Sequence, residues 1–280
     1  MPAQSAQEKD ILPRDSNALR DLVALIHPNV IVEFGSWEGR SAITFLLEAR
    51  SRGLTSEIVC VDTWLGSSEH WQGLFPEGTE WAFERLKVRN GEPQVLETFW
   101  KTIKDYGFID NTSIVRASTG HAAPFLKKAG IKPELVYVDA DHSFSAVLED
   151  LNLARSLIGE GGVVAGDDFG SSQVRLAVGW SALRGRAVMT SMSQFVLLDS
   201  NQKDFKKSFL DRGWKVERFL LLRALAFPLS SLLMRGRNGL PRCFRTVGPL
   251  KMRVSLKERT ACPPHVDVSP RSSKTSYVGR

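Results

Sequence analysis

Between about residues 30 and 200 the apolar positions fall in short, β-branched runs bounded by Gly, Asp or Ser. Runs of this kind read as strands buried on both faces. They lie at Val30–Phe34, Ile58–Val61, Ser113–Arg116, Leu135–Val138 and Gly162–Ala165. Segments with helical spacing separate them: Arg40–Ser51, Gly120–Ala129, Phe144–Leu157 and Ser171–Leu183. Phe144–Leu157 places Val147, Leu151, Ala154 and Leu157 on one face and stops at Gly159 and Gly161–Gly162. Strands alternating with helices predict a parallel sheet. Ala187–Met189 and Gln194–Leu198 close it as an antiparallel pair, so the expected fold is α/β, a Rossmann-like, seven-stranded, mostly parallel sheet flanked by helices.

Three further segments complete the expected organisation. Residues 1–27 form a helical lead-in to a domain spanning 28–218. Residues 64–110 interrupt the strand–helix alternation with many aromatics, among them Trp64, Trp71, Trp81, Phe99 and Trp100, and with helices expected at Glu80–Arg89 and Glu97–Tyr106. Insertions of this length at strand ends commonly form lids or substrate walls, although a helical layer packed on the sheet also accounts for many of the rings. Residues 219–280 form a basic C-terminal extension, expected to be partly disordered. Its apolar start, residues 219–234, reads as a docking helix or an interfacial segment.

Charge divides the chain. Residues 203–280 carry 18 Lys and Arg against 5 Asp and Glu, a balance of +13, which leaves residues 1–202 at −7. The basic part suits an acidic partner or a membrane surface; the acidic part disfavours nucleic acid. No stretch is long and apolar enough to span a bilayer, and the polar, acid-bearing N-terminus fits no secretory or transit signal. With three cysteines in no metal-ligand or paired spacing, a cytoplasmic setting is expected.

The chemistry concentrates at strand ends. Val30–Phe34 runs into Glu33-Phe-Gly35-Ser36-Trp-Glu-Gly39-Arg-Ser41, a turn whose glycines let backbone approach a ligand and whose helix offers free N–H groups. It departs from the G-x-G-x-x-G pyrophosphate cradle, and Glu33 suits a cationic amino acid better than a phosphate. Asp62 ends the second strand, where an acid accepts hydrogen bonds from ribose hydroxyls. The two features together imply an adenosyl cofactor. Val138-Asp139-Ala140-Asp141-His142-Ser143-Phe144 and Gly166-Asp167-Asp168-Phe169 then deliver acids from two neighbouring strands. Asp139, Asp167 and Asp168 are expected to converge on one hard cation such as magnesium, although Asp168 also suits a cap for the helix near Ser171.

These motifs resemble the class I S-adenosylmethionine-dependent methyltransferases. Within them, VDADHSF and GGVVAGDDF look like the metal-dependent O-methyltransferases of macrolide sugars and their cephalosporin-pathway relatives. The similarity spans roughly residues 28–200 and departs from the pattern at Ala140, where the family usually has Gly. The resemblance implies that Glu33, Gly35, Ser36, Gly39 and Ser41 hold the methionine part of the cofactor, Asp62 its ribose, and Ser118 the neighbourhood of adenine. It implies Mg2+ on Asp139, Asp167 and Asp168, with His142 as general base. The expected activity is O-methylation of a small-molecule hydroxyl on a sugar or polyol, in a chain compatible with a homo-oligomer. Two other readings share the fold: a nicotinamide-dependent oxidoreductase, and a non-catalytic adaptor working through the basic tail.

Overall fold

The structure is a computed structural model that describes residues 13–218, apart from Asp15, residues 73–80 and Arg184. The segment 219–280, and with it every expectation for the basic extension, lies outside the described residues, as does Phe75 of the aromatic insertion.

Among the described residues the strands are β1 (Val30–Phe34), β2 (Glu57–Asp62), β3 (Thr112–Arg116), β4 (Leu135–Val138), β5 (Val163–Gly166), β6 (Ala187–Ser191), β7 (Gln194–Leu198) and β8 (Lys215–Glu217). They form one sheet in the order β3-β2-β1-β4-β5-β7-β6-β8. The first five are parallel, and β7, β6 and β8 continue antiparallel. The sheet is therefore eight-stranded among the described residues, not seven-stranded. The extra strand, Lys-Val-Glu, is three residues long, exposed at Lys215 and Val216 and half-buried at Glu217, so it has no apolar run to announce it. It is held at the edge by pairing with β6.

The helices are α1 (Asn17–Ile26), α2 (Arg40–Ser51), α3 (Ser68–Gln72), α4 (Trp81–Leu86), α5 (Val95–Asp105), α6 (Thr119–Lys128), α7 (Phe144–Leu157), α8 (Ser172–Ala182) and α9 (Lys203–Asp211). They cover both faces of the sheet. Leu19 and Leu22 of α1, Ile43 of α2, Phe99 of α5 and Phe209 of α9 share one core with Ile31 and Tyr137. Leu126 of α6, Leu151 of α7 and Val178 of α8 share the other with Val32, Phe34 and Val136. Alternation along β1 makes this division: Ile31 faces one layer, Val32 and Phe34 the other. Helix α1 starts at Ser16, whose hydroxyl accepts from the Leu19 N–H at 3.3 Å, a cap worth about 1 kcal/mol.

Strand order reverses between β1 and β4, so the connections leaving their C-terminal ends run to opposite sides and open a crevice there. The aromatic insertion contributes to packing on this sheet. Trp64 and Phe99 are fully buried with ring centroids 5.1 Å apart, whereas Trp71 and Phe83 remain exposed. No helix of the described residues is long and apolar enough to cross a membrane.

Candidate active site

The sheet ladder carries the backbone one step past the strands. The Asp139 N–H donates to Phe34 O at 2.8 Å, and the Asp167 N–H to Val138 O at 3.1 Å. Consecutive parallel strands thus end in acids at one level, and a cavity of about 700 Å³ opens over them. Gly35, Ser36, Ser41, Asp62, Ser118, Asp139, His142 and Asp168 all line it. Glu33, Gly39 and Asp167 do not, so the structure brings most of the expected residues to one cavity and sets three behind it.

Asp62 organises the first half. One carboxylate oxygen accepts from the Trp37 N–H at 2.8 Å and the other from the Trp64 N–H at 2.7 Å. Both tryptophans have left-handed backbones, φ +47° and +55°, a conformation that costs a non-glycine residue about 1–3 kcal/mol and persists only where neighbours enforce it. The Trp64 indole N–H adds a bond to Trp37 O at 2.9 Å, and Trp37 stacks on His70 at 4.3 Å. Burial raises the Asp62 pKa, against the pull of these backbone donors.

Glu33 stands one layer deeper. It is fully buried, accepts from the Ser41 hydroxyl, and has the Cys60 thiol at 3.7 Å. Burial pushes its pKa up while the hydroxyl of Ser41, then that of Ser36, pulls it down. Glu33 thus holds Ser41 from behind, and Ser41 faces the cavity. Gly39 is the N-cap of α2, with φ +83°. A Cβ there would meet the Phe99 ring at 3.1 Å, so Gly39 permits packing and does not face the cavity. The Ser118 hydroxyl, at the other end of the cavity, lies 2.7 Å from His121 Nδ1.

The acidic half differs from the expected trio. Asp139, His142 and Asp168 offer atoms that all lie within 4.8 Å of one another. His142 Nε2 is 2.9 Å from Asp168 Oδ2, and this hydrogen bond holds the Asp168 pKa below the usual carboxylate range. Asp139 shows the opposite shift: burial, then the charges of Asp167 and Asp168, push it well up, with Arg14 opposing. Asp168 caps no helix with its side chain; its carbonyl accepts from the Ser171 N–H at 2.8 Å. Asp167 turns inward instead. One of its oxygens accepts from the Asp168 N–H at 2.7 Å and from Gln194 Nε2 at 3.2 Å, and the other pairs with Arg14. Of the three expected acids, Asp139 and Asp168 line the cavity, whereas Asp167 lies behind it against Arg14 and Gln194.

Arg14 and Gln194 had no motif to mark them. Arg14 also reaches Asp139 Oδ2 at 3.3 Å, and Gln194 receives the Ser16 hydroxyl at 3.4 Å. Burial works against the Arg14 charge, but Asp167 and Asp139 outweigh it and raise its pKa. Asp167→Asn should leave Arg14 half-paired and lower stability by about 2–3 kcal/mol. That is less than a fully buried pair would cost, because the Arg14 side chain is 33% exposed. Urea denaturation measures it; a midpoint unchanged from wild type would show that the pair contributes nothing.

The profile of a family described as a methyltransferase domain matches residues 32–169. The match runs from Val32 in β1 to Phe169 beyond β5 and so contains Asp62, Asp139, His142, Asp167 and Asp168. Residues 32–169 are a methyltransferase domain. No curated protein is a significant match. Similar solved structures include the O-methyltransferase TomG of Streptomyces achromogenes, involved in tomaymycin synthesis and in complex with SAM. It is 16% identical, the alignment covering 64% of this chain and 76% of that one, with a TM-score of 0.44. An O-methyltransferase from Bacillus cereus in complex with SAH is 16% identical over 65% and 79%, at 0.45. The O-methyltransferase NovP is 15% identical over 65% and 77%, at 0.48. The family assignment rests on residues 32–169.

Two more ionisable groups of the methyltransferase domain border the cavity. Glu38, 2% exposed, is held by Arg85 through two guanidinium nitrogens, which ties α4 to the turn after β1. Asp150 on α7 is 4% exposed, and burial raises its pKa to about 6 although Thr119 hydrogen-bonds it. A raised carboxyl is protonated more readily in the folded chain than in the unfolded one. Asp150 therefore costs nothing below pH 3.8, and its penalty grows through about pH 6. Asp150→Asn should raise stability at pH 8 by about 2–3 kcal/mol and at pH 5 by roughly half as much. Thermal melts at the two pH values test this; equal shifts would refute it.

Proposed function

We propose that the methyltransferase domain moves a methyl group from S-adenosylmethionine to a hydroxyl oxygen of a small molecule, a sugar or other polyol, with the help of a divalent cation such as magnesium. The observation that supports this most is one cavity lined both by the Asp62 turn and by the Asp139–His142–Asp168 group.

S-adenosylmethionine would supply an electrophilic methyl on a sulfonium. Ser36, Ser41 and the backbone of the Gly35 turn would hold its amino-acid end, with Glu33 fixing Ser41, and Asp62 would receive its ribose. Ser118 borders the opposite end of the cavity, where adenine would lie. Attack on a methyl forms no covalent enzyme intermediate, so most of the acceleration comes from holding three atoms in line.

The acids fit a cation by their donor chemistry. Two carboxylates, Asp139 and Asp168, face the cavity, and burial, followed by the neighbouring negative charges, raises the Asp139 pKa. Two carboxylates suit magnesium, which keeps several waters. A bound cation would lower the pKa of an acceptor hydroxyl. His142 stands beside this pair. With its Nε2 proton given to Asp168, Nδ1 is the basic nitrogen that takes the hydroxyl proton. The reaction is proposed for a cytoplasmic setting and not for nucleic acid, whose phosphates the −7 of residues 1–202 would repel.

Calorimetric titration with S-adenosylmethionine and with NAD, each with and without magnesium, tests the reading. S-adenosylmethionine should bind and NAD should not, and S-adenosylhomocysteine should form when polyol acceptors are added. Tight NAD binding without S-adenosylmethionine binding would favour the oxidoreductase instead.

A further inference from the structure

We propose that Arg14 is the resident counter-charge of the acidic cluster, that it withholds Asp167 from any bound cation, and that a divalent ion competes with it for the space between Asp139 and Asp167. This rests on the cation reading above.

The segment around Arg14 is docked at several points. The Arg14 N–H donates to Arg40 O at 3.2 Å, and Arg14 O accepts from the Thr44 hydroxyl at 2.9 Å, so its backbone is fastened to the first turn of α2. Two residues on, Ser16 caps α1 and donates to Gln194 on β7. Gln194 in turn donates to Asp167. The guanidinium is thereby delivered to Asp139 and Asp167 from a backbone anchored on one side and a polar bridge on the other. Serine, glutamine, aspartate and arginine form one connected set, with Asp167 fully shielded at its centre.

The electrostatic consequence is direct. Asp139 is the acid shared by both arrangements: it touches Arg14 and belongs to the group with His142 and Asp168. A cation on Asp139 and Asp168 would sit beside a fixed positive charge and lack Asp167 as a ligand. Both effects weaken it, since like charges a few ångströms apart repel strongly even at the effective dielectric of a protein surface. Replacing Arg14 by a neutral residue removes the repulsion and frees a third carboxylate. The ordinary role of an arginine as a structural tie makes no such prediction for metal affinity.

Mn2+ binding to the full chain, read by electron paramagnetic resonance of the free ion, distinguishes the two roles. Arg14→Met should tighten Mn2+ at least tenfold, and Arg14→Gln, which keeps hydrogen-bond donors and serves if the Met variant does not fold, should tighten it as well. Arg14→Lys, which keeps the charge, should stay within about threefold of wild type. Asp167→Asn should change little in the wild-type background but abolish the gain in Arg14→Met, a coupling that a double-mutant cycle measures. Unchanged or weakened Mn2+ affinity in both neutral variants overturns the proposal while leaving the cation reading intact. Absence of Mn2+ binding in every variant removes the cation reading and this inference with it.

Discussion

His142→Ala should lower kcat for methyl transfer by about 10²–10⁴-fold while leaving the dissociation constant for S-adenosylmethionine within a few-fold of wild type. His142 pairs with Asp168, and the ligand-holding groups of the proposed cofactor half, Ser41 and Asp62, have their own partners in Glu33 and in the Trp37 and Trp64 backbone. The two halves are thus separable. The split between the two constants carries the diagnostic: kcat should fall while cofactor affinity holds. Asp168→Asn should lose about as much rate, because the amide no longer selects the imidazole tautomer or stabilises its protonated form and the proposed cation keeps only one of its two carboxylates. Retention of kcat within tenfold would remove His142 from the chemistry.

The second large effect belongs to backbone. Gly35 has φ +87°, and a Cβ there would lie 2.1 Å from Asp139 O and 2.6 Å from Ala140 Cα. Main-chain atoms cannot swing aside as a side-chain tip can, so the ends of β1 and β4 must part. Gly35→Ala should cost about 4 kcal/mol or more, the range reserved for strained or clashing backbone, and lower the melting temperature by roughly 10 °C. Gly53 supplies the control. Its φ is +70°, yet nothing lies within 4 Å of an added Cβ, so Gly53→Ala should cost only about 1 kcal/mol. Equal melting temperatures for the two variants would show that the close approach at Gly35 is not real. A folded Gly35→Ala protein should also lose S-adenosylmethionine binding, since the turn and the Asp139 backbone move together.

The packing at Gly35 also places the first turn against the second acidic motif. Gly35 touches the residue after β4, while its own N–H donates to Val61 O at the end of β2. Three strand ends are therefore registered on one glycine. The Asp62 carboxylate then sets the turn that follows, through Trp37, and the segment beyond β2, through Trp64. The two left-handed tryptophans are the local cost of that arrangement, and the hydrogen bonds to Asp62 offset it.

The sequence by itself determined the layered α/β arrangement and the level at which the acids emerge. Strands such as Leu135–Val138 are apolar at every position because both faces are covered, and helices such as Phe144–Leu157 carry a single apolar stripe; both patterns are local and legible. Asp62, Asp139, Asp167 and Asp168 follow directly from the ends of such runs. The tertiary structure alone decided which carboxylates share a space. Arg14 meets Asp139 across 125 residues, and Gln194 meets Ser16 across 178, contacts that leave no periodic trace in the chain. Asp167 and Asp168 are neighbours in sequence, yet Asp168 adopts φ +54° and turns toward His142 while Asp167 is taken inward by Arg14 and Gln194. Burial of Glu33 behind Ser41, and the edge strand β8, were likewise set by what packs against them. Local patterning fixes where a side chain leaves the backbone; only the assembled charges and neighbours fix what it faces.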